Sequence, residues 1–148
     1  MEFRFSEAQL PGIAQKIIAS CPAKILCLFG EMGSGKTTLI KALVKALGGG
    51  EGANSPTFGL VNEYHTVDGA LLAYHFDFYR IEDESEALDL GLEDYLSQDV
   101  WIFMEWPEKV ASLLPGDRVE LYIRVVDKMT REVKIDSFRA HKITGFAG

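Results

Sequence analysis

Residues 30–37 read Gly-Glu-Met-Gly-Ser-Gly-Lys-Thr, a full match to the pattern G-x-x-x-x-G-K-[ST]. Glycines at this spacing let successive backbone N–H groups turn inward, and with the positive end of a following helix they make a cradle for phosphate oxygens. Lys36 adds a point charge that can reach the β- and γ-phosphates of a nucleotide. The Thr37 hydroxyl is a ligand for Mg²⁺, and Thr38 can add an α-phosphate contact. Gly33, Ser34, Gly35, Lys36, Thr37 and Thr38 are therefore the expected nucleotide-binding residues.

Mg²⁺ in such a site also needs a carboxylate, or a water held by one, at the C-terminal end of a neighbouring strand. Two acids qualify. Glu105 ends the run Val100-Trp101-Ile102-Phe103-Met104-Glu105, and Asp77 sits in His75-Phe76-Asp77-Phe78-Tyr79-Arg80. One can organise the metal while the other orients the attacking water. The base is read from what is missing: no Asn-Lys-x-Asp loop follows either Asn54 or Asn62, which favours ATP over GTP. Base contacts are expected near Glu7 or Arg131. The arginines are scattered along the chain rather than gathered into a lid, which disfavours a small-molecule kinase that must clamp a transferring phosphoryl group.

The elements around these residues follow from periodicity. Lys24 to Phe29 is a nearly continuous apolar run of strand length, as expected of a central parallel strand covered on both faces. After the glycine-rich loop, Lys36 to Leu47 carries Leu39, Ile40, Leu43, Val44 and Leu47 on one helical face. Gly48, Gly49, Gly50 and Gly52 then end the helix in a connector expected to be weakly ordered. Before the central strand, Glu2 to Phe5 reads as a short strand, and Ser6 with Gln9 caps a helix that runs to Ser20 and is stopped by Pro22. Phe58 to His65 and Leu71 to Tyr79 form a hairpin around Asp68-Gly69. Asp83 to Leu96 reads as short helices broken near Gly91. Pro107 opens another short helix to Leu114. Val119, Leu121, Ile123 and Val125 face one way in the next strand, and Val133 and Ile135 continue the alternation after a turn at Asp127 to Thr130. The expected fold is α/β, a P-loop NTPase-like single domain over residues 1–148. Its mixed parallel and antiparallel sheet is flanked by helices and ends in a C-terminal β-meander.

Four segments together resemble the TsaE (YjeE) ATPases of bacterial tRNA threonylcarbamoyladenosine synthesis. They are Gly30 to Thr37, Ser55-Pro56-Thr57-Phe58, His75-Phe76-Asp77-Phe78-Tyr79-Arg80 and Glu105-Trp106-Pro107-Glu108, in family order. The first is generic and the other three are specific in combination. The resemblance implies a Mg²⁺-dependent ATPase that cycles a complex of the TsaD and TsaB proteins and meets tRNA only through that complex; with no evident arginine finger in the sequence, hydrolysis by the chain alone is expected to be slow. It implies Thr37 and Glu105 as metal ligands, Asp77 beside Lys36 in ATP hydrolysis, and Ser55 to Phe58 as a nucleotide-sensitive loop in which Thr57 senses the γ-phosphate or its metal. Arg80 and Trp106 are expected to serve switching or the partner. Two readings stay open beside this one, a small-molecule kinase and a nucleotide-sensing binding module. His75 is expected to be structural, a histidine on a strand face.

Composition narrows the remaining classes. With 148 residues, 47% hydrophobic and 25% charged, the chain has ordinary globular usage and enough length for a core without staples. Fifteen basic against 22 acidic residues give a net charge of −7, which disfavours autonomous nucleic-acid binding through a broad basic surface. No apolar run reaches the length of a membrane helix, and the acidic start lacks a signal peptide's plan, so a cytoplasmic location is expected. Cys21 and Cys27 are the only cysteines, read as reduced thiols.

Overall fold

The computed structural model describes residues 1–50 and 59–139. Among them, β1 (Glu2–Phe5), β2 (Ile25–Phe29), β3 (Val61–His65), β4 (Leu71–Asp77), β5 (Trp101–Glu105), β6 (Arg118–Asp127) and β7 (Thr130–Phe138) form one sheet in the order β1-β7-β6-β2-β5-β4-β3. The apolar run of β2 takes the middle place, parallel to both β5 and β6, with Leu26, Cys27 and Leu28 fully buried. A strand covered on both faces has no solvated side to make polar, so the sequence shows no alternation there. β4 lies parallel to β5, and the hairpin partner β3 closes that edge antiparallel. At the other edge β6 and β7 pair as the expected meander, and β1 from the start of the chain adds to β7.

Helices cover the sheet unequally. α1 (Leu10–Ser20) and α2 (Lys36–Ala46) lie on one face and bury Ile13, Ala14, Ile17, Leu39, Ile40, Leu43 and Val44 against Leu26, Leu28, Phe103, Val119 and Leu121. α3 (Glu84–Leu90), α4 (Leu92–Leu96) and the 3₁₀ segment Pro107–Leu113 cover the second face of β2, β5, β4 and β3 around Phe76, Phe78, Ile102, Met104 and Val110. Gly91 breaks α3 from α4 at φ +94°, as its position suggested. The first turn before α1 is a 3₁₀ segment, Glu7–Gln9, and the Gln9 side chain accepts the Ser6 N–H at 2.9 Å.

Two expectations change. Val125 is half exposed rather than continuing the buried face of Val119, Leu121 and Ile123, because the β6–β7 register shifts between Val125 and Asp127 and turns the strand end outward. The described part of the glycine connector is also tied down. Gly48 takes φ +92°, the Gly49 N–H donates to the Val44 carbonyl at 2.9 Å, and the Gly50 N–H donates to the His65 carbonyl at 2.8 Å. Gly49 approaches α2 so closely that a Cβ there would fall 2.4 Å from Val44 Cγ1. Its missing side chain serves packing rather than freedom.

Candidate phosphate and metal site

The loop after β2 delivers the site to the C-terminal edge of the parallel strands. Gly33 and Gly35 take φ +81° and +105°, a region that side-chain-bearing residues avoid. Gly30 approaches β6 so closely that a Cβ would lie 2.7 Å from the Ile123 carbonyl oxygen and from Ser34 Oγ. The Ser34 N–H donates to the Glu31 carbonyl at 3.1 Å, and the Ser34 carbonyl accepts Arg131 Nε at 3.1 Å. Arg131 thus braces the loop from β7.

Lys36 begins α2 and is only 5% exposed. Its Nζ donates to the Gly30 carbonyl at 2.6 Å and lies 3.7 Å from the centre of the Trp106 ring. Burial lowers its pKa below the ordinary lysine range, against the upward pull of Glu105, Glu108 and Asp77. Trp106 follows β5 in the left-handed region, φ +57° and ψ +47°, the one non-glycine residue with positive φ among those described. Backbone strain of that kind costs about 1–3 kcal/mol and gathers at functional sites. Here it turns the indole over the lysine.

The two acids stand side by side. Asp77 and Glu105 are register partners at the ends of the parallel neighbours β4 and β5. Thr37 Oγ1 donates to Glu105 Oε2 at 2.9 Å, so the hydroxyl and the carboxylate expected to serve a metal are already joined. Burial raises the pKa of Glu105, but hydrogen bonds from His75 and Thr37 and the charge of Lys36 outweigh it and hold the carboxyl below its usual range. Asp77 is exposed and accepts the Tyr79 N–H at 3.1 Å, which fixes the turn beyond β4. Met32, Gly33, Gly35, Lys36, Thr37, Thr38, Asp77, Tyr79, Glu105 and Trp106 line one cavity. Anionic oxygen, a hydroxyl and a buried ammonium around a glycine loop can take a phosphate chain with a hard cation.

A family model described as "Threonylcarbamoyl adenosine biosynthesis protein TsaE" matches residues 5–133. The chain belongs to the TsaE family. A Bacillus subtilis protein named tRNA threonylcarbamoyladenosine biosynthesis protein TsaE is 40% identical over 76% of this chain and 68% of its own length. A Haemophilus influenzae protein of the same name is 39% identical, and the match spans 63% of this chain and 58% of that relative. The crystal structure of Bacillus subtilis YdiB superposes with a TM-score of 0.72 at 27% identity, covering 95% of this chain and 86% of that one. The expected α/β fold with its mixed sheet is thus shared with a solved structure.

Against this TsaE-family background, the fold brings Gly33, Ser34, Gly35, Lys36, Thr37, Thr38, Asp77, Glu105 and Trp106 to one end of the sheet. Arg80 lies exposed in the turn after β4, with no hydrogen bond or ion pair among the described residues. Ser55, Thr57 and the rest of the segment Ser55 to Phe58 fall outside the described residues. Glu7 and Arg131, near which base contacts are expected, line a second cavity with Phe5, Leu10, Gly35 and Thr38 beside the first turn of α2. One contact at the site was missed in the sequence. His75 does not merely pack: its Nε2 lies 2.7 Å from Glu105 Oε2, with both side chains buried. A histidine two residues before Asp77 in a strand with no solvated face was the available signal, because a buried polar group must find a partner.

Proposed function

We propose that this chain is a Mg²⁺-dependent ATPase acting in the biosynthesis of threonylcarbamoyladenosine in tRNA, with residues 1–148 working as one ATPase domain. The observation that carries the reading is the Thr37–Glu105 hydrogen bond of 2.9 Å beside the buried Lys36. It joins the first hydroxyl of the helix after the phosphate loop to an acid ending the neighbouring parallel strand. Membership of the TsaE family, whose relatives carry that pathway in their names, supports the biological setting.

The donor set fits Mg²⁺, a hard cation that takes oxygen ligands and keeps several waters, so it needs few protein groups. No cluster of three or more ligating acids, histidines or cysteines exists among the described residues, and a nucleotide-bound Mg²⁺ requires none. Thr37 and Glu105 would hold it, and when bound it would neutralise charge on the phosphates. The chain's own residues do the rest. The glycine-loop amides and Lys36 bind the phosphates, Asp77 orients a water, and Trp106 and Tyr79 wall off solvent. The cavity between Glu7, Thr38 and Arg131 takes the base. ATP binding and hydrolysis then cycle a TsaD–TsaB complex between two conformations, and tRNA is met only through that complex. No helix among the described residues is long and apolar enough to cross a membrane.

The reading is tested by following the γ-phosphate. Purified protein given ATP and Mg²⁺ is expected to release inorganic phosphate to water, with Lys36→Ala and Glu105→Ala losing the release. Transfer of the phosphoryl group to an added metabolite instead of water would overturn it in favour of a kinase.

A further inference from the structure

Glu105 receives two donors on one oxygen. Thr37 Oγ1 lies 2.9 Å and His75 Nε2 2.7 Å from Oε2, while Oε1 accepts no hydrogen bond among the described residues. The two donors come from different elements, α2 and β4, so the carboxylate is held from both sides. Thr37 Oγ1 would also serve a cation, whereas the His75 ring has Glu105 as its one hydrogen-bond partner among the described residues. The imidazole is itself fixed: it is buried, and its ring stacks on Tyr64 of β3 with centroids 6.4 Å apart and planes 17° apart.

The direction of the His75–Glu105 hydrogen bond follows from its chemistry. An ionised carboxylate can only accept, so Nε2–H donates. Nδ1 is buried with no partner among the described residues. Tyr64 stacks on the ring and Phe103 is the register partner of His75 on β5, and a hydrogen bond to a charged group is strongest where water is excluded.

We infer that His75 is a positioning residue whose Nε2–H anchors Glu105 Oε2, so that the carboxylate's other oxygen is presented to the metal-bearing nucleotide. The inference rests on the ATPase reading above and deepens it. It assigns to β4 a second task beside carrying Asp77. Orienting partners of this kind typically change metal affinity by about 10–100-fold when removed.

Two variants separate positioning from packing. His75→Phe keeps a ring on Tyr64 and deletes the donor, whereas His75→Gln returns an N–H at about the reach of Nε2. Binding of a fluorescent ADP analogue is measured without metal and then across a Mg²⁺ titration, with thermal melts to confirm folding. His75→Phe is expected to leave metal-free binding unchanged and to raise the Mg²⁺ midpoint by about 10-fold or more, with His75→Gln recovering most of the difference. In the free wild-type protein, ¹⁵N NMR is expected to show a proton on Nε2. An unchanged Mg²⁺ midpoint in folded His75→Phe, no recovery in folded His75→Gln, or an Nε2 without a proton would overturn the inference and leave the ATPase reading standing. Wild-type protein that binds no nucleotide, or binds it without any response to Mg²⁺, would overturn both.

Discussion

Lys36 holds a positive charge in a place that water barely reaches, and it does so by lying on two electron-rich surfaces, the Gly30 carbonyl and the Trp106 ring. Cation–π contact is worth about 2 kcal/mol or more when desolvated, so phosphate must displace a real competitor when it takes the ammonium. The emission of Trp106, isolated in a Trp101→Phe background, is expected to change when nucleotide binds. Lys36→Ala should alter the emission of the free protein and abolish that response. An emission identical in the Lys36→Ala protein would mean that the contact does not form in solution. The cysteines supply a contrast. Burial, reinforced by nearby Glu120, pushes the Cys27 thiol up to about 12, and burial alone pushes Cys21 up to about 11. Because the thiolate is the reacting species, a thiol reagent at pH 8 should label both residues far more slowly in the native protein than in denatured chain. Fast native labelling of Cys27 would contradict its burial. At this scale much was legible: the spacing of Gly30, Lys36 and Thr37 states a phosphate site outright. The His75–Glu105 contact was not, because it depends on β4 lying beside β5, and strand order is not written in either strand.

Elements hold the site through close approaches and cross-strand charge. A methyl group at Gly49 would meet Val44 Cγ1 at 2.4 Å and the Val44 carbonyl at 2.9 Å, neither of which is a flexible chain end. Gly49→Ala should therefore cost about 1–3 kcal/mol, as overpacking does. Gly12, inside α1, has open space around the place a methyl group would take, with nothing within 4 Å, and Gly12→Ala should stabilise by about 0.5–1 kcal/mol through helix propensity. Thermal melts of the two variants that move in the same direction would refute this packing. On the outer sheet, Glu132 of β7 accepts Arg124 Nε of β6 at 2.7 Å and Arg4 Nε of β1 at 3.0 Å. Arg124 first and Arg4 second hold its carboxyl below the usual range. A depressed folded value means stability that is present above the unfolded pKa, about 4.3, and lost as pH falls through the lower folded one. Wild type should melt above Glu132→Gln at pH 7, and the gap should close in acid and shrink with salt. A gap that widens in acid would reverse the sign. Sequence periodicity located the β3–β4 hairpin, the break at Gly91 and the β6–β7 pair. It misjudged Val125, because a register shift at a strand end leaves no mark on the alternation before it.

The whole molecule gathers residues from the start of the chain, the glycine loop, β4, β5 and the last hairpin at one end of a seven-stranded sheet. Its edge strand β1 is an N-terminal segment paired to the C-terminal hairpin, a closure that no local pattern announces. The motifs could be read because phosphate binding imposes fixed residue types at fixed spacing. That Glu7 and Arg131 line one cavity depends on that long-range pairing. A net charge of −7 disfavours holding tRNA through a broad basic surface, and Arg80 is exposed in the turn after β4. Slow hydrolysis alone and faster hydrolysis in a complex is the behaviour expected of a phosphate site completed by a partner. The most direct measurement is ADP release from ATP and Mg²⁺ by the purified chain, alone and with the TsaD and TsaB proteins, with Glu105→Ala as control. The account predicts slow release alone, stimulation by the partners, and loss of the stimulated rate in Glu105→Ala. Rapid release unchanged by the partners, or stimulation that survives in the variant, would contradict it.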